Sequence, residues 1–378
     1  MKAVLFASLL VLYTSVLCFS QRRIMDQPNE RARAAAHVLQ TQYFSDENGT
    51  YPRAIDWTSA VTLEAVIHYM AVTKDLSYIS QVDHFYSSQA AASLEHQQFD
   101  DMYWVSNSWL EAAKLLKFIR PDLSEKYLQR SRHFFSLAFT GGWDPSTCGG
   151  GQRWGPRNHY KNAITNELSI STAMNIFEYT NEPYYFDVAK LGVDWFLRDY
   201  KTDKSMFNQD GLINDGLTDQ CTNNKQTTWT YNQGVILSGF TRLFKHTKDA
   251  KYLTLATDLL DSILKSYLID PETNSLVEVC DPATRIACNQ DQQIFKGITI
   301  RHVSYMLDII RDTKTQVANI DSYIKFVKAG AEAVWTRARD PSSGKIANYW
   351  RGGDFSRLQM TTETHVAGLE ALVAAASL

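Results

Sequence analysis

Positive charge is not in surplus in this chain of 378 residues: 38 lysines and arginines face 41 aspartates and glutamates, a net charge of −3. That balance lacks the basic excess demanded by a phosphate backbone or an anionic membrane surface, so nucleic acid is not an expected partner. Proline is sparse, at 9 residues, and nowhere do prolines or serines gather into a linker that would divide the chain. Cysteine is sparser still, at 5, with no spacing that resembles a zinc site, and neither a metal nor a cofactor is expected. The apolar run from Ala3 to Leu17 falls short of the ~20 residues that span a bilayer. Sustained strand alternation is scarce too, which removes most β architectures.

What is present begins with an export signal. Met1-Lys2, the apolar run, and Cys18-Phe19-Ser20 before the polar Gln21-Arg22-Arg23 follow the order of a secretory leader, residues 1–20. Residues 21–378 are then expected outside the cell. In an oxidising compartment the remaining Cys148, Cys221, Cys280 and Cys288 are expected as disulfides. Three pairings are possible; Cys280 and Cys288 flank the turn-forming Asp281-Pro282 and are expected to clip one loop, leaving Cys148 for Cys221. Asn48-Gly49-Thr50 is an Asn-X-Ser/Thr sequon, which makes Asn48 the candidate glycosylation site. The apolar stretch Val366 to Leu378 lacks the polar spacer of a lipid-anchor signal and reads as a last core helix, so no stable membrane anchor is expected.

With 44% hydrophobic residues the chain can bury a large core, and a repeat organises it. An apolar-periodic helix, a Thr-Lys-Asp or Thr-Asn-Glu turn and a second helix recur at Thr73-Lys74-Asp75, Thr180-Asn181-Glu182 and Thr247-Lys248-Asp249. First helices are expected from about Trp57, Asp101, Ala163, Tyr231, Gly297 and Thr362. Their partners are expected over 29–43, 78–95, 124–139, 184–200, 250–267 and 320–338. Twelve alternating helices close naturally into a double ring, an all-α (α/α)6 barrel forming one catalytic domain, residues 21–378. A closed barrel has no obligatory partner, so a monomer is expected. Function belongs on the long loops at one end.

Four clusters carry chemistry. In Phe99-Asp100-Asp101-Met102-Tyr103-Trp104, two carboxylates stand side by side where a helix begins. Acids there commonly cap the helix, but Tyr103, Trp104 and Trp109 add the planar faces that suit sugar rings. Glycoside hydrolysis needs one carboxyl group that keeps a proton and one that is ionised, and neighbouring carboxylates push each other's pKa values apart. The second cluster joins Gly141-Gly142-Trp143 and Gly149 to Trp154 with Tyr160-Lys161-Asn162-Ala163-Ile164-Thr165-Asn166-Glu167, which places Asn162 and Asn166 on one helix face. The third is Trp229-Thr230-Tyr231-Asn232-Gln233-Gly234, preceded by Asn214-Asp215-Gly216. The fourth is Phe295-Lys296-Gly297 with Arg301 one turn on, which reads as a salt-bridge element.

In this order the clusters resemble glycoside hydrolase family 76, the endo-α-1,6-mannanases and their fungal cell-wall relatives, over most of the mature chain. The resemblance rests on Asp-Asp-X-X-Trp, Tyr-Lys-Asn-Ala-Ile-X-Asn-Glu, Thr-Tyr-Asn-Gln-Gly and Phe-Lys-Gly, and the cysteine set looks closest to fungal-type members. It implies an (α/α)6 barrel with a retaining mechanism on α-1,6-mannan or mannoprotein glycans, in a secreted or cell-wall enzyme. Asp100 would be the nucleophile and Asp101 the general acid/base. Trp104, Trp154, Asn162, Asn166, Asp215, Tyr231, Asn232 and Gln233 would bind mannose units. Interception of a glycosyl-enzyme by another sugar would give transglycosylation instead, and a binding protein without catalysis is the third reading.

Overall fold

The computed structural model describes residues 27–52, 56–90, 97–281 and 287–378; the expected leader lies outside them. Among the described residues there are twelve α-helices and no named strand, only isolated bridges between loops. None of the helices is long and apolar enough to cross a membrane. The inner set is α2 (Trp57–Thr73), α4 (Phe99–Leu116), α6 (Ala163–Thr180), α8 (Thr230–Thr247), α10 (Phe295–Asp312) and α12 (Thr362–Ala376). The outer set is α1 (Pro28–Gln42), α3 (Ile79–Ala90), α5 (Pro121–Gly142), α7 (Pro183–Leu197), α9 (Ala250–Lys265) and α11 (Ile320–Ala333). Each inner helix packs on the next, and α12 closes the ring on α2. This is the (α/α)6 barrel.

Composition sorts the two rings. Inner helices are buried nearly all round, as in α6, where every residue from Ala163 to Ile176 is buried. Outer helices bury one stripe only: in α9 it is Tyr252, Ala256, Leu259, Leu260 and Ile263, the spacing of a single helix face. Outer helices α1, α5 and α7 open on Pro28, Pro121 and Pro183, where a missing N–H is harmless and the fixed φ suits a first turn. Three inner helices have side-chain caps: Asp56 accepts from Thr58 N at 2.9 Å and Ser59 N at 3.1 Å, Asn162 accepts from Thr165 N at 3.4 Å, and Thr361 caps the last.

The repeated turn has one geometry. Lys74, Asn181 and Lys248 are all left-handed, with φ of 62°, 58° and 60°. Each donates its N–H four residues back, to Met70, Phe177 and Phe244, which stops the helix. The preceding Thr hydroxyl then accepts from the next N–H, of Asp75, Glu182 and Asp249. Lys314 (φ 52°), between Thr313 and Thr315, makes a fourth left-handed stop that the sequence pattern passed over.

Boundaries differ from expectation by a turn or less. Helix α4 starts at Phe99 and α10 at Phe295, each two residues early, while α11 gives way to a wider turn over Val334–Ala338. Residues 91–95 of the expected second outer helix lie outside the described residues. Two motif glycines bring the inner ring together: a Cβ on Gly234 would sit 2.5 Å from Thr299 Cα, and one on Gly297 2.5 Å from Ala367 Cα. Arg301 is an internal ion-pair residue, as its position suggested. Fully buried, it reaches Glu370 at 2.7 Å and Glu64 at 3.1 Å across the barrel interior.

Candidate active site

Alternation of inner and outer helices puts the N-termini of all six inner helices at one mouth. The partial positive charge at such ends favours carboxylates in the first turn. A cavity of about 420 Å³ opens there, lined by Trp57, Gln98, Asp100, Asp101, Trp104, Trp154, Tyr160, Asn162, Asp215, Tyr231, Asp291 and Phe295. Among the described residues no cluster of histidine, cysteine or carboxylate side chains is arranged to hold a metal ion.

Asp100 and Asp101 occupy the first turn of α4, where successive side chains diverge by about 100° and flank a bound group from different directions. Asp101 does cap the helix, its Oδ2 accepting from Gln98 N at 3.2 Å. Asp100 Oδ2 accepts from the indole N–H of Trp154 at 3.2 Å, while Oδ1 is buried with no hydrogen-bond partner. Burial pushes Asp100 up to about 7, opposed by the Trp154 donor. Burial also lifts Asp101 well above the carboxylate range, and the neighbouring Asp100 charge lifts it further. The two carboxyl groups feel each other's charge and titrate as one pair.

Two loops place the remaining groups. The loop between α5 and α6 folds over the start of α4: Phe99 N donates to Trp154 O at 2.9 Å, and Trp154 N to Tyr160 O at 2.8 Å. Buried Lys161 pins this loop from beneath, donating to the carbonyls of Asp144 at 2.9 Å and Gly151 at 2.8 Å. The Cys148–Cys221 disulfide ties it to the loop that carries Asp215. Ala163 N donates to Asp215 O at 2.8 Å, and the Tyr160 hydroxyl donates to the Asp215 carboxylate, whose pKa burial raises. On the opposite side Cys280 bonds to Cys288. Beside that bridge Lys296 donates to Asp281 and to Asn348 O, with both charged side chains buried. This pair holds Phe295, whose ring stacks on Tyr231 at 3.8 Å.

Of the residues singled out in the sequence, Asp100, Asp101, Trp104, Trp154, Asn162, Asp215 and Tyr231 meet in the cavity. Trp104 is 1% exposed and packed on Trp57, so it is a floor and not a free stacking face. Asn166, Asn232 and Gln233 do not line the cavity. Asn166 accepts from Gln152 N at 2.7 Å and donates to Gln152 O at 2.9 Å, pairing with that backbone as a strand would. Gln233 makes the same bidentate pair with Ile213, at 2.7 and 2.8 Å. Both amides stand one helical turn below the mouth, where they reach the loops that frame the site. Asn232 is wholly buried in the wall. Tyr103 and Trp109 also point into packing, against Phe135 and Tyr127. Trp57, Gln98, Tyr160, Asp291 and Phe295 were not picked out as ligand contacts. Trp57 and Phe295 carry a usable signal, an aromatic residue at the first position of an inner helix, whereas Asp291 carries none.

The sequence pattern of Glycosyl hydrolase family 76 matches residues 27–377. The chain belongs to this family of glycoside hydrolases. Among relatives, a putative mannan endo-1,6-alpha-mannosidase of Schizosaccharomyces pombe is 27% identical over 221 residues, 56% of this chain and 47% of that protein. Mannan endo-1,6-alpha-mannosidase DFG5 of Saccharomyces cerevisiae is 30% identical over 194 residues, 48% of this chain and 40% of its own length. The chain thus spans about half the length of such relatives, or less. In structure, a family 76 alpha-1,6-mannanase of Salegentibacter superposes with a TM-score of 0.77 at 20% identity, covering 93% of this chain and 99% of that one. Dfg5 of Chaetomium thermophilum, in complex with glucosamine, gives 0.77 at 21% identity, covering 92% and 90%. These likenesses, at 20% and 21% identity, show that the fold is shared.

Proposed function

We propose that this family 76 protein is a secreted, retaining endo-glycosidase that cleaves α-1,6-mannosidic linkages in mannan or mannoprotein glycans through Asp100 and Asp101. The observation that carries the reading is the pair of adjacent carboxyl groups lining the cavity, Asp100 with a buried oxygen that has no hydrogen-bond partner and both raised by burial. Asp100 Oδ1 attacks the anomeric carbon while Asp101 gives its proton to the departing glycosidic oxygen. Asp101 then takes a proton from water, which displaces Asp100 and leaves the configuration retained. Asp215 and Asp291 on the same cavity add negative charge that favours the oxocarbenium-like transition state. Trp154, Asn162, Asp215 and Tyr231 bind the sugar. The Salegentibacter mannanase, made inactive by replacing two consecutive aspartates, was crystallised with alpha-1,6-mannotetrose, which supports the linkage and the pair.

The same acidic lining favours a second reading, in which an amino sugar or other cationic glycan enters as acceptor and the enzyme transglycosylates; the glucosamine in the Chaetomium neighbour is in keeping with it. Export through residues 1–20, a single catalytic domain and a monomeric state belong to the proposal. So does glycosylation of Asn48, which is exposed in a turn. The test is product analysis by mass spectrometry and anomeric NMR on linear α-1,6-mannan, with and without glucosamine, using wild type, Asp100→Asn and Asp101→Asn. Short oligosaccharides of retained configuration, absent in both variants, are expected. Folded wild type that neither cleaves nor transfers overturns the proposal.

A further inference from the structure

A cavity of about 420 Å³ is at the small end of ligand sites, so a polymer bound in it must leave across the rim. One stretch of rim is built in an unusual way. Phe295, in the cavity wall, meets Trp229 edge-on at 5.7 Å, and Trp229 is itself partly exposed outside the cavity lining. The residue before it, Thr228, is hydrogen-bonded through its hydroxyl to that of Tyr267. Tyr267 is 63% exposed, one of the largest apolar side chains left in water, and Val279 is 43% exposed.

Tyr267 and Val279 stand on the two arms of one hairpin. Val277 N donates to Leu268 O at 2.8 Å, Ile269 bridges to Leu276, and Leu268 and Leu276 are buried beneath. A wholly buried carboxyl group fastens the hairpin to the mouth: Glu278 accepts from Thr230 N at 3.1 Å and from Thr230 Oγ1 at 2.5 Å, at the first residue of α8. Along this arm Glu278 is buried and Val279 is 43% exposed. Tyr231, Phe295 and Trp229 thus follow one another in ring contact out of the cavity, and the Tyr267 hydroxyl is tied to Thr228, the residue next to Trp229. An exposed aromatic ring, tethered by its hydroxyl beside an aromatic run that leads out of the cavity, matches a pyranose ring, which offers C–H groups on one face and hydroxyls at its rim.

We propose that Tyr267, tethered next to Trp229, forms an outer subsite that takes one pyranose unit of the bound glycan beyond those held in the cavity. The inference rests on the glycan-cleaving reading above and extends it to chain-length preference.

The experiment is a length series of linear α-1,6-manno-oligosaccharides with two readouts. Wild type is assayed for cleavage, and dissociation constants are measured by calorimetry in an Asp100→Asn, Asp101→Asn background with Tyr267→Ala, Tyr267→Phe or Tyr184→Ala added. Tyr184, a half-exposed tyrosine on outer helix α7, is the surface control. The affinity ratio of long to short oligosaccharides is expected to fall roughly tenfold in Tyr267→Ala, to be largely kept in Tyr267→Phe, which retains the ring face, and to be unmoved in Tyr184→Ala. An unchanged ratio in Tyr267→Ala overturns the subsite even where wild type cleaves the series. Loss of the ratio without any cleavage by wild type upholds the subsite and overturns the hydrolytic reading. Neither binding nor cleavage overturns both.

Discussion

Replacing Trp154 by phenylalanine tests how the acid pair divides its labour. The indole N–H donates to Asp100 Oδ2 at 3.2 Å, and Trp154 is 39% exposed. Hydrogen bonds to charged groups contribute ~1.5–3 kcal/mol, and the long contact and partial exposure put this one at the low end. About 1.4 kcal/mol corresponds to one pH unit. The donor favours the ionised form, so its loss raises Asp100 from its position near 7, and the nucleophile is then protonated over a wider range. On the proposed mechanism the acidic limb of kcat/KM moves up by about one unit in Trp154→Phe, and activity below it falls as much as tenfold. The alkaline limb, which on the same mechanism reports the acid Asp101 that Trp154 does not touch, moves less. Both limbs are properties of the coupled pair and are compared between the two proteins on that footing. The assay is reducing-sugar release from linear α-1,6-mannan against pH, with circular dichroism to confirm the fold. A uniform loss of rate at every pH, with the acidic limb unmoved, would show that Trp154 only binds sugar and would refute the argument.

Lys296→Met strands the buried Asp281 charge and is expected to cost ~3–5 kcal/mol, a fall in Tm of roughly 5 °C for a chain of this size. Calorimetry should also find part of it restored when Asp281→Asn is added. Glu278 has a folded pKa raised by burial from 4.5 to about 7. Both states are protonated below 4.5, and between 4.5 and 7 the unfolded chain ionises first, so stability drains away as pH rises by up to ~3 kcal/mol. Glu278→Gln removes that slope, so denaturation profiles should show the variant gaining on wild type across this window; a constant difference would refute the assignment. Gly234→Ala adds a methyl group against Thr299 and should destabilise by ~1–3 kcal/mol despite alanine's better helix propensity, measured by urea unfolding.

The chain's own pattern was enough for the ring of helices, because an (α/α)6 barrel repeats one local device. Apolar periodicity, prolines at outer starts and the left-handed stops at Lys74, Asn181 and Lys248 act over a few residues, so they are legible one stretch at a time. The Asp100-Asp101 pair was legible for the same reason: adjacent carboxylates at a helix start share one environment wherever that start is placed. What side chains do across elements was not. Asn166 and Gln233 look like sugar ligands by type and position, yet each is satisfied by a backbone segment that only the tertiary fold brings alongside. Trp104 supplies an aromatic face in sequence, but Trp57, 47 residues earlier, covers it. Asp291 carries no local mark and lines the cavity only because closure of the ring brings it to the mouth. Short-range hydrogen bonding and periodicity are written along the chain, whereas burial, which decides whether a polar or aromatic group faces substrate or partner, depends on all twelve helices at once.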